Sequence, residues 1–334
     1  MKDQHVHKIE ISAKTIVFTV TFLILLQAVW VVRELLFSFI IAFIIMSAFN
    51  PVVTWFEKWR IPRVVSTLIV FALTISGVGF LFAWLIPPVV KETTILFKNF
   101  PDYLKNLELG SDLKLSENLF SQYGSSVTTG AFDFLKSTFS NVIFLISTIF
   151  FSFYFLIEEH VIRRLLMKFF DKKNAGAIAE IFDKAELRMR AWLWGQLILM
   201  LTIGLVTYVG LTVLGVRYAL PLAVFAGLLE VVPILGPTIS AVPAFIVTAS
   251  QNMFSGLSVI ILYFIIQQVE NQVLVPVVMR RAVGLNPIVT LTALIIGGKL
   301  GGILGLLLAI PITLCVETVI NEMANMRLNE EQKT

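Results

Sequence analysis

Six stretches of this chain are apolar over lengths that match the thickness of a bilayer: Ile16–Val32, Leu35–Phe49, Val64–Ile86, Val142–Ile157, Trp192–Leu214 and Leu257–Val278. A helix needs roughly 17–25 apolar residues to cross about 30 Å of hydrocarbon, so each run is near or above the length of one span. The second is short unless Asn50–Phe56 continues it. Across the 334 residues 57% are hydrophobic and only 14% charged, whereas soluble domains carry about 25% charged residues. These features specify an all-α, polytopic membrane protein. Ile16–Val32 is too long for a cleavable signal and lacks a small-x-small exit, so it reads as the first span.

A net charge of +4 would suggest nucleic-acid binding in a soluble chain, but here the basic residues lie between apolar runs without a recognition motif, which argues against a nucleic-acid partner. They orient the chain instead. Lys2, Lys8 and Lys14, then Lys58, Arg60 and Arg63 in "EKWRIPR", eight basic residues from Glu158 to Arg190, and Arg280 with Arg281 all belong on the cytoplasmic side. The segment from Pro87 to Ser140, with five lysines against six acids, then falls outside. Its "ILFKNFPDYLKNL" spaces Leu96, Phe100, Leu104 and Leu107 as an amphipathic helix does. On the inner side, Ile178, Ile181, Phe182, Ala185 and Met189 share one face, as in an interfacial helix lying on the bilayer or on its own bundle.

Span parity makes two further apolar regions hairpins. Leu220–Ala249 must begin and end outside, and "PILGP" at 233–237 cuts it into pieces of about 13 residues, each about 20 Å long and too short to cross. From Asn286 to Ile320, "GGKLGG" separates an arm of about 11 residues from a longer arm carrying Pro311. This second region reads as a hairpin entered from inside, with two full spans as the alternative. The expected layout is therefore six spans plus two re-entrant hairpins, about eight transmembrane segments. Residues 1–86 hold three spans, 87–140 an extracytoplasmic helical domain, 141–158 the fourth span and 159–190 the cytoplasmic amphipathic segment. A transport core occupies 191–322 and a cytoplasmic tail 323–334.

Signatures of soluble enzymes are missing: the sequence has no G-x-S-x-G, H-E-x-x-H, Walker loop or G-x-G-x-x-G. Cys315 stands alone in an apolar run and the three histidines lie in a tail or at a span end, so no metal site and no cofactor are expected. What remains is polarity inside the membrane. "FIIQQVENQVLVPVV", 264–278, packs Gln267, Gln268, Glu270, Asn271 and Gln272 together. At 100° per residue they cover one broad arc, with Ile266, Val269 and Val273 opposite. An uncompensated acid facing lipid costs about 2.5–3.5 kcal/mol even on lenient scales. The arc is therefore expected to line a pathway, although amides can also simply stitch helices together.

Glu230 ends the first arm of the outer hairpin, three residues before Pro233. At that turn Gly236 offers unusual backbone angles, Pro237 starts the returning arm, and Thr238 and Ser240 bring hydroxyls near its positive end. In the second hairpin Gly297, Gly298, Gly301, Gly302 and Gly305 repeat a small-x-x-x-small spacing that lets backbones approach. Substitution at Gly236 is expected to do more harm than at Gly305, where only packing is at stake. Lys299 at the tip either pairs with Glu270 or Glu230 or extends its amine to the interface.

"LLEVVPILGPTISAVPA", 228–244, followed by "ENQVLVPVVMRRAVGLNPIVTLTALIIGGKLGGILGLLLAIPI", 270–312, resembles the autoinducer-2 exporter family of bacterial permeases. The resemblance implies a homo-oligomer, a pentamer being one option, in the bacterial inner membrane, and the basic residues and span parity make both termini cytoplasmic. The resemblance also implies export of a small polar solute such as the quorum-sensing furanosyl signal, or sodium or lithium exchange for protons. Gln267, Asn271 and Gln272 with Thr238 and Ser240 suit a hydroxyl-rich solute. Glu230 or Glu270 suits a proton site from which a cation displaces the proton. A non-transporting scaffold is the reading from another class, and an intramembrane enzyme lacks paired catalytic groups.

Cysteines placed at Ser111 and Ser125 in a Cys315→Ala background are expected to label from outside, and those at Asn174 and Asn329 only after permeabilisation. External labelling at position 329 would remove the second hairpin and leave an odd number of crossings.

Overall fold

Apolar side chains in hydrocarbon leave the backbone no water to bond, and the helix is the element that satisfies every N–H and C=O within one segment. The computed structural model describes residues 13–106, 142–158, 172–232, 235–279 and 286–331, and there every regular element is helical. These are α1 (Ala13–Val31), α2 (Arg33–Lys58), α3 (Arg63–Asn106), α4 (Val142–Ile157), α5 (Lys172–Val213), α6 (Ala219–Leu229) and α7 (Leu235–Ala249). After them come α8 (Met253–Val269), a π-helical turn (Glu270–Leu274) running into a last short turn (Val275–Val278), and α9 (Pro287–Glu331).

Among the described residues six helical stretches are long and apolar enough to cross a bilayer: Lys14–Val31, Arg33–Lys58, Arg63–Leu96, Gly176–Val213, Met253–Val278 and Ile288–Met326, the last of them reversing at Gly302. Five coincide with expected spans. The sixth is the second interrupted region, whereas Val142–Ile157, at 16 residues, reaches only about 24 Å. The described side chains of α1 are exposed all round, as suits a helix with no polar face resting on α2. α2 continues through Pro51 to Lys58, as its length as a span required. It pairs with α4 through the Phe39–Phe151 stack at 4.2 Å and the buried Ser38–Thr148 hydrogen bond at 2.9 Å.

Two expected boundaries are absent. The segment read as a separate interfacial helix is the first half of the 42-residue α5, because nothing between Met189 and Trp192 breaks a helix. Of the two placements expected for its apolar face, Ile181, Ala185 and Met189 take the one on the protein's own bundle, and Phe182 is exposed. Likewise the start of the outer domain is the end of the 44-residue α3. There Leu96 and Tyr103 join the core of α6, α7 and α8, and Tyr218 accepts from Asn99 Nδ2 at 3.1 Å. Leu107, Ser111, Ser125, His160, Pro233, Arg280 and Arg281 lie outside the described residues.

Charged side chains fasten one end of the bundle. Arg63 donates to the Leu156 carbonyl (2.8 Å), to Glu57 (3.0 Å) and to Asn50 (2.9 Å), and Asn50 in turn donates to Glu186 of α5 (3.0 Å). Further along α5, Lys184 pairs with Glu322 at 2.7 Å, and Arg188 with Glu317 and the Thr318 hydroxyl. α5 is thereby tied to α2 and to the far end of α9.

Both interrupted regions fold back on themselves. α6 and α7, of 11 and 15 residues, pack together, with Gly236 against the end of α6. Gly236 does not adopt a positive φ; it is needed because a Cβ would strike the Leu229 carbonyl. In α9 the reversal occurs at Gly302 (φ 58°, ψ −137°), a conformation that side chains strongly disfavour. The arms then touch so closely that a Cβ on Gly297 or Gly305 would collide with the other's backbone carbonyl. The expectation that substitution at Gly305 does less harm than at Gly236 is therefore corrected, since contact here too is between backbones, which cannot move aside as side chains do. Gly301 lies against Phe37, Gly298 is looser, and α9 continues through Pro311.

Gly297→Ala and Gly305→Ala should each destabilise the solubilised protein by about 1–3 kcal/mol, comparable to Gly236→Val. Thermal unfolding curves superimposed on wild type would show that the arms can separate freely.

Candidate functional site

Helices α5, α6 and α8 meet along inward stripes set by helical periodicity. On α5 the stripe is Trp192, Gln196, Leu199, Ile203, Thr207 and Leu211; on α8 it is Gly256, Val259, Tyr263 and Ile266, continued by Glu270 of the π-helical turn. α6 contributes Leu222, Ala223, Ala226 and, at its last turn, Glu230. Glycines bring the backbones close: Gly227 of α6 sits against Met200 and Gly204 of α5. Small residues at such crossings are how membrane helices maximise packing.

Two carboxyl groups occupy this seam. Glu230 is 1% exposed and Glu270 is 3% exposed, and the two side chains interact directly. Each also leaves one oxygen, Oε2, without a hydrogen-bond partner in the protein. The main chain at Glu230 has a donor that the sequence reading did not single out. Gln196 of α5, itself buried, donates from Nε2 to the Glu230 carbonyl at 2.8 Å, where α6 ends and its carbonyls lose their helical partners. The available signal was that Gln196 is the single amide between Trp192 and Leu214.

The remaining sequence-predicted residues divide. Glu270 begins a π-helical turn ahead of Pro276. Proline supplies no N–H and crowds the carbonyl four residues back, so the turn upstream widens. The polar arc does not act as one surface: Glu270 shares the buried stripe with Ile266, Gln267 is half-buried, and Gln268, Asn271 and Gln272 are exposed with Val269 and Val273. The expected opposition of Ile266 to Glu270 is thus corrected, because a four-residue step is 400° and returns to nearly the same face.

At the other hairpin Pro237 lies in the first turn of α7, Ser240 is fully buried with its hydroxyl donated to the Pro237 carbonyl at 3.0 Å, and Thr238 is exposed. Lys299 is exposed on α9, and among the described residues no ion pair joins it to Glu230 or Glu270. A cavity of about 440 Å³ lies between the arms of α9, lined by Phe37, Ala293, Ile296, Leu300, Ala309 and Ile312 among others. Its walls are apolar, and the two glycines Gly297 and Gly305 are the residues it shares with the predicted set. Among the described residues no group of three or more His, Cys, Asp or Glu is placed to hold a metal.

Gln196→Leu should cost about 1–3 kcal/mol by leaving the Glu230 carbonyl unsatisfied, with Gln196→Asn unable to rescue it across the extra methylene. A Gln196→Leu protein as stable as wild type would remove this bond from the site.

The sequence profile described as AI-2E family transporter matches residues 19–325. The putative transport protein YueF of Bacillus subtilis (strain 168) is 30% identical over 303 residues, covering 84% of this chain and 82% of its own. YrrI of the same organism, also a putative transport protein, is 24% identical over 93% of this chain and 94% of its own. The AI-2 transport protein TqsA of Escherichia coli (strain K12) is 24% identical over 93% of this chain and 92% of its own.

Proposed function

Because the chain belongs to the AI-2E transporter family, we propose that it exports a small polar solute across the bacterial inner membrane, with autoinducer-2 as its cargo. The cargo is suggested by the name of TqsA and by the family's description. The observation that carries the reading is the buried Glu230–Glu270 pair beside a helix end held by Gln196, within an otherwise apolar seam. Carboxyls in such surroundings are justified by something polar that passes or binds there. A scaffold gives them no task, and an enzyme would need a reactive constellation that the seam does not offer.

In this reading the α6–α7 and α9 hairpins are re-entrant, and their breaks bring polar backbone to mid-membrane. Both termini are cytoplasmic, in keeping with the basic residues around the α2–α3 turn and α5. The protein is a homo-oligomer: Gln268, Asn271 and Gln272 are exposed on a membrane-crossing helix, and amides in hydrocarbon gain by bonding to amides of a neighbouring copy. The sequence-derived pathway then divides between the acids inside one chain and the amides between chains.

The acid pair also supports a second reading, sodium or lithium exchange for protons, since two touching carboxyls hold a proton or a monovalent cation between them. Flux in liposomes, with a panel of solutes and an imposed proton gradient, separates the two. For a solute exporter, Glu270→Gln should keep more autoinducer-2 flux than Asn271→Leu, which deletes hydrogen bonds. For an antiporter, Glu270→Gln should abolish proton-coupled sodium movement in everted vesicles. Unchanged flux of every solute after both acids and Asn271 are replaced would sink both readings.

A further inference from the structure

The apolar cavity between the arms of α9 takes no part in the acid seam. Its 440 Å³ falls within the roughly 300–1,000 Å³ of a small-ligand pocket. Ile288, Ile296 and Leu300 in its wall are exposed, so the space opens sideways from the bundle, which for a membrane-crossing segment means towards hydrocarbon. From Ile288 to Leu300 it runs about 18 Å along the first arm, a little more than one leaflet's half of a hydrocarbon core of about 30 Å. Of the two hydroxyls in the wall, that of Thr313 is bonded within its own helix, to the Ala309 carbonyl at 2.7 Å. A groove this long and this apolar fits an acyl chain lying along it.

Two cations stand at the tip end of the groove. At 100° per residue Lys299 falls within about 20° of Thr292 and about 60° of Ile296, on the arc that faces the groove, one residue before Leu300. The second cation comes from α2. Gly301 lies against Phe37 and, seven residues on in each helix, Leu308 clusters with Ile44, so α2 and the second arm run parallel and in step. Arg33, one turn before Phe37, therefore stands about 6 Å beyond that contact, past the tip. Its guanidinium lies 4.2 Å from the centre of the Trp30 ring, and tryptophan marks the level where a span meets the headgroups. Among the described residues no ion pair involves Arg33 or Lys299. Glu34, the acid on the same turn, is engaged in a contact of its own.

We propose that the α9 groove binds one anionic phospholipid, with an acyl chain along the groove and its phosphate between Arg33 and Lys299. In the orientation given above, with the α2–α3 turn cytoplasmic, the lipid belongs to the outer leaflet. The arginine fork matches phosphate oxygens, and the lysine stem follows the apolar wall while its ammonium reaches the headgroup. A choline or ethanolamine headgroup would bring a third cation to the same place, whereas a glycerol headgroup adds none. The bound chain closes the side of the hairpin that protein leaves open, so the hold of one arm of α9 on the other depends on the anionic lipid content of the membrane.

Native mass spectrometry of the purified full-length protein tests this directly, with palmitoyl-oleoyl phosphatidylglycerol and phosphatidylcholine offered together in equal amounts. Wild type should retain the phosphatidylglycerol at least about tenfold over the phosphatidylcholine. An Arg33→Gln, Lys299→Gln double variant should retain the two equally, and an Arg33→Lys, Lys299→Arg double variant should keep the preference. Thr292→Trp and Ile296→Trp, which fill the groove and leave the cations in place, should each lose the retained lipid while unfolding at the wild-type temperature in lipid-free detergent. Should one of the two fail to fold, the other decides. Equal retention of both lipids by wild type, or an undiminished preference in the double glutamine variant or in a folded groove variant, would overturn the site. Release of the lipid by millimolar inorganic phosphate would show that the cations recognise a free anion and overturn it as well. So would disulfide crosslinking of a cysteine at position 296 to a second copy in a Cys315→Ala background, which would make a neighbouring subunit the occupant.

Discussion

A main-chain carbonyl released from its helix inside hydrocarbon must find a donor, or the break that released it cannot persist. Gln196 is that donor. By holding the Glu230 carbonyl it fixes where α6 ends, and the end of α6 fixes where the Glu230 carboxyl points. The widened turn at Glu270 supplies the other half from α8. Two irregularities in neighbouring helices thus converge, and neither would place a carboxyl in the seam alone.

The close approach of α5, α6 and α8 follows from small side chains, and the steadiness of that approach follows from polar ties elsewhere. Pairs such as Lys184–Glu322 are partly exposed, and singly they add little. Their effect is positional. Arg63 joins α3 to α2 and to the end of α4, and Asn50 carries the connection to α5. The far arm of α9 is held to α5 by separate pairs, so α5 links the α2 junction to α9.

Most of the architecture was legible because bilayer thickness converts sequence length into structure with few alternatives. Both hairpins announced themselves through Pro and Gly, and Glu230 and Glu270 stood out as acids in apolar surroundings. The polar arc was misread for a local reason: counting Ile266 as opposite Glu270 neglected that a four-residue step comes back to one face, and Pro276 then widened the turn. Gln196 escaped notice because one amide in a span resembles an incidental helix–helix bond. The unity of α5 was hidden by its change of character at Trp192, where amphipathic gives way to apolar without any residue that stops a helix. Gly236 and Gly305 looked different from each other in sequence, yet both are required by the nearness of another backbone.

The length of α5 has a mechanical meaning. At 42 residues it is about 63 Å long, roughly twice the thickness of the hydrocarbon, and Gln196 lies not far from its midpoint. A rod gripped near its centre behaves as a seesaw: tilting it by a few degrees barely moves the fulcrum but displaces each tip by several ångströms. Lys184 and Arg188 are held by α9 on one side of Gln196, and Gly204 is packed on α6 on the other.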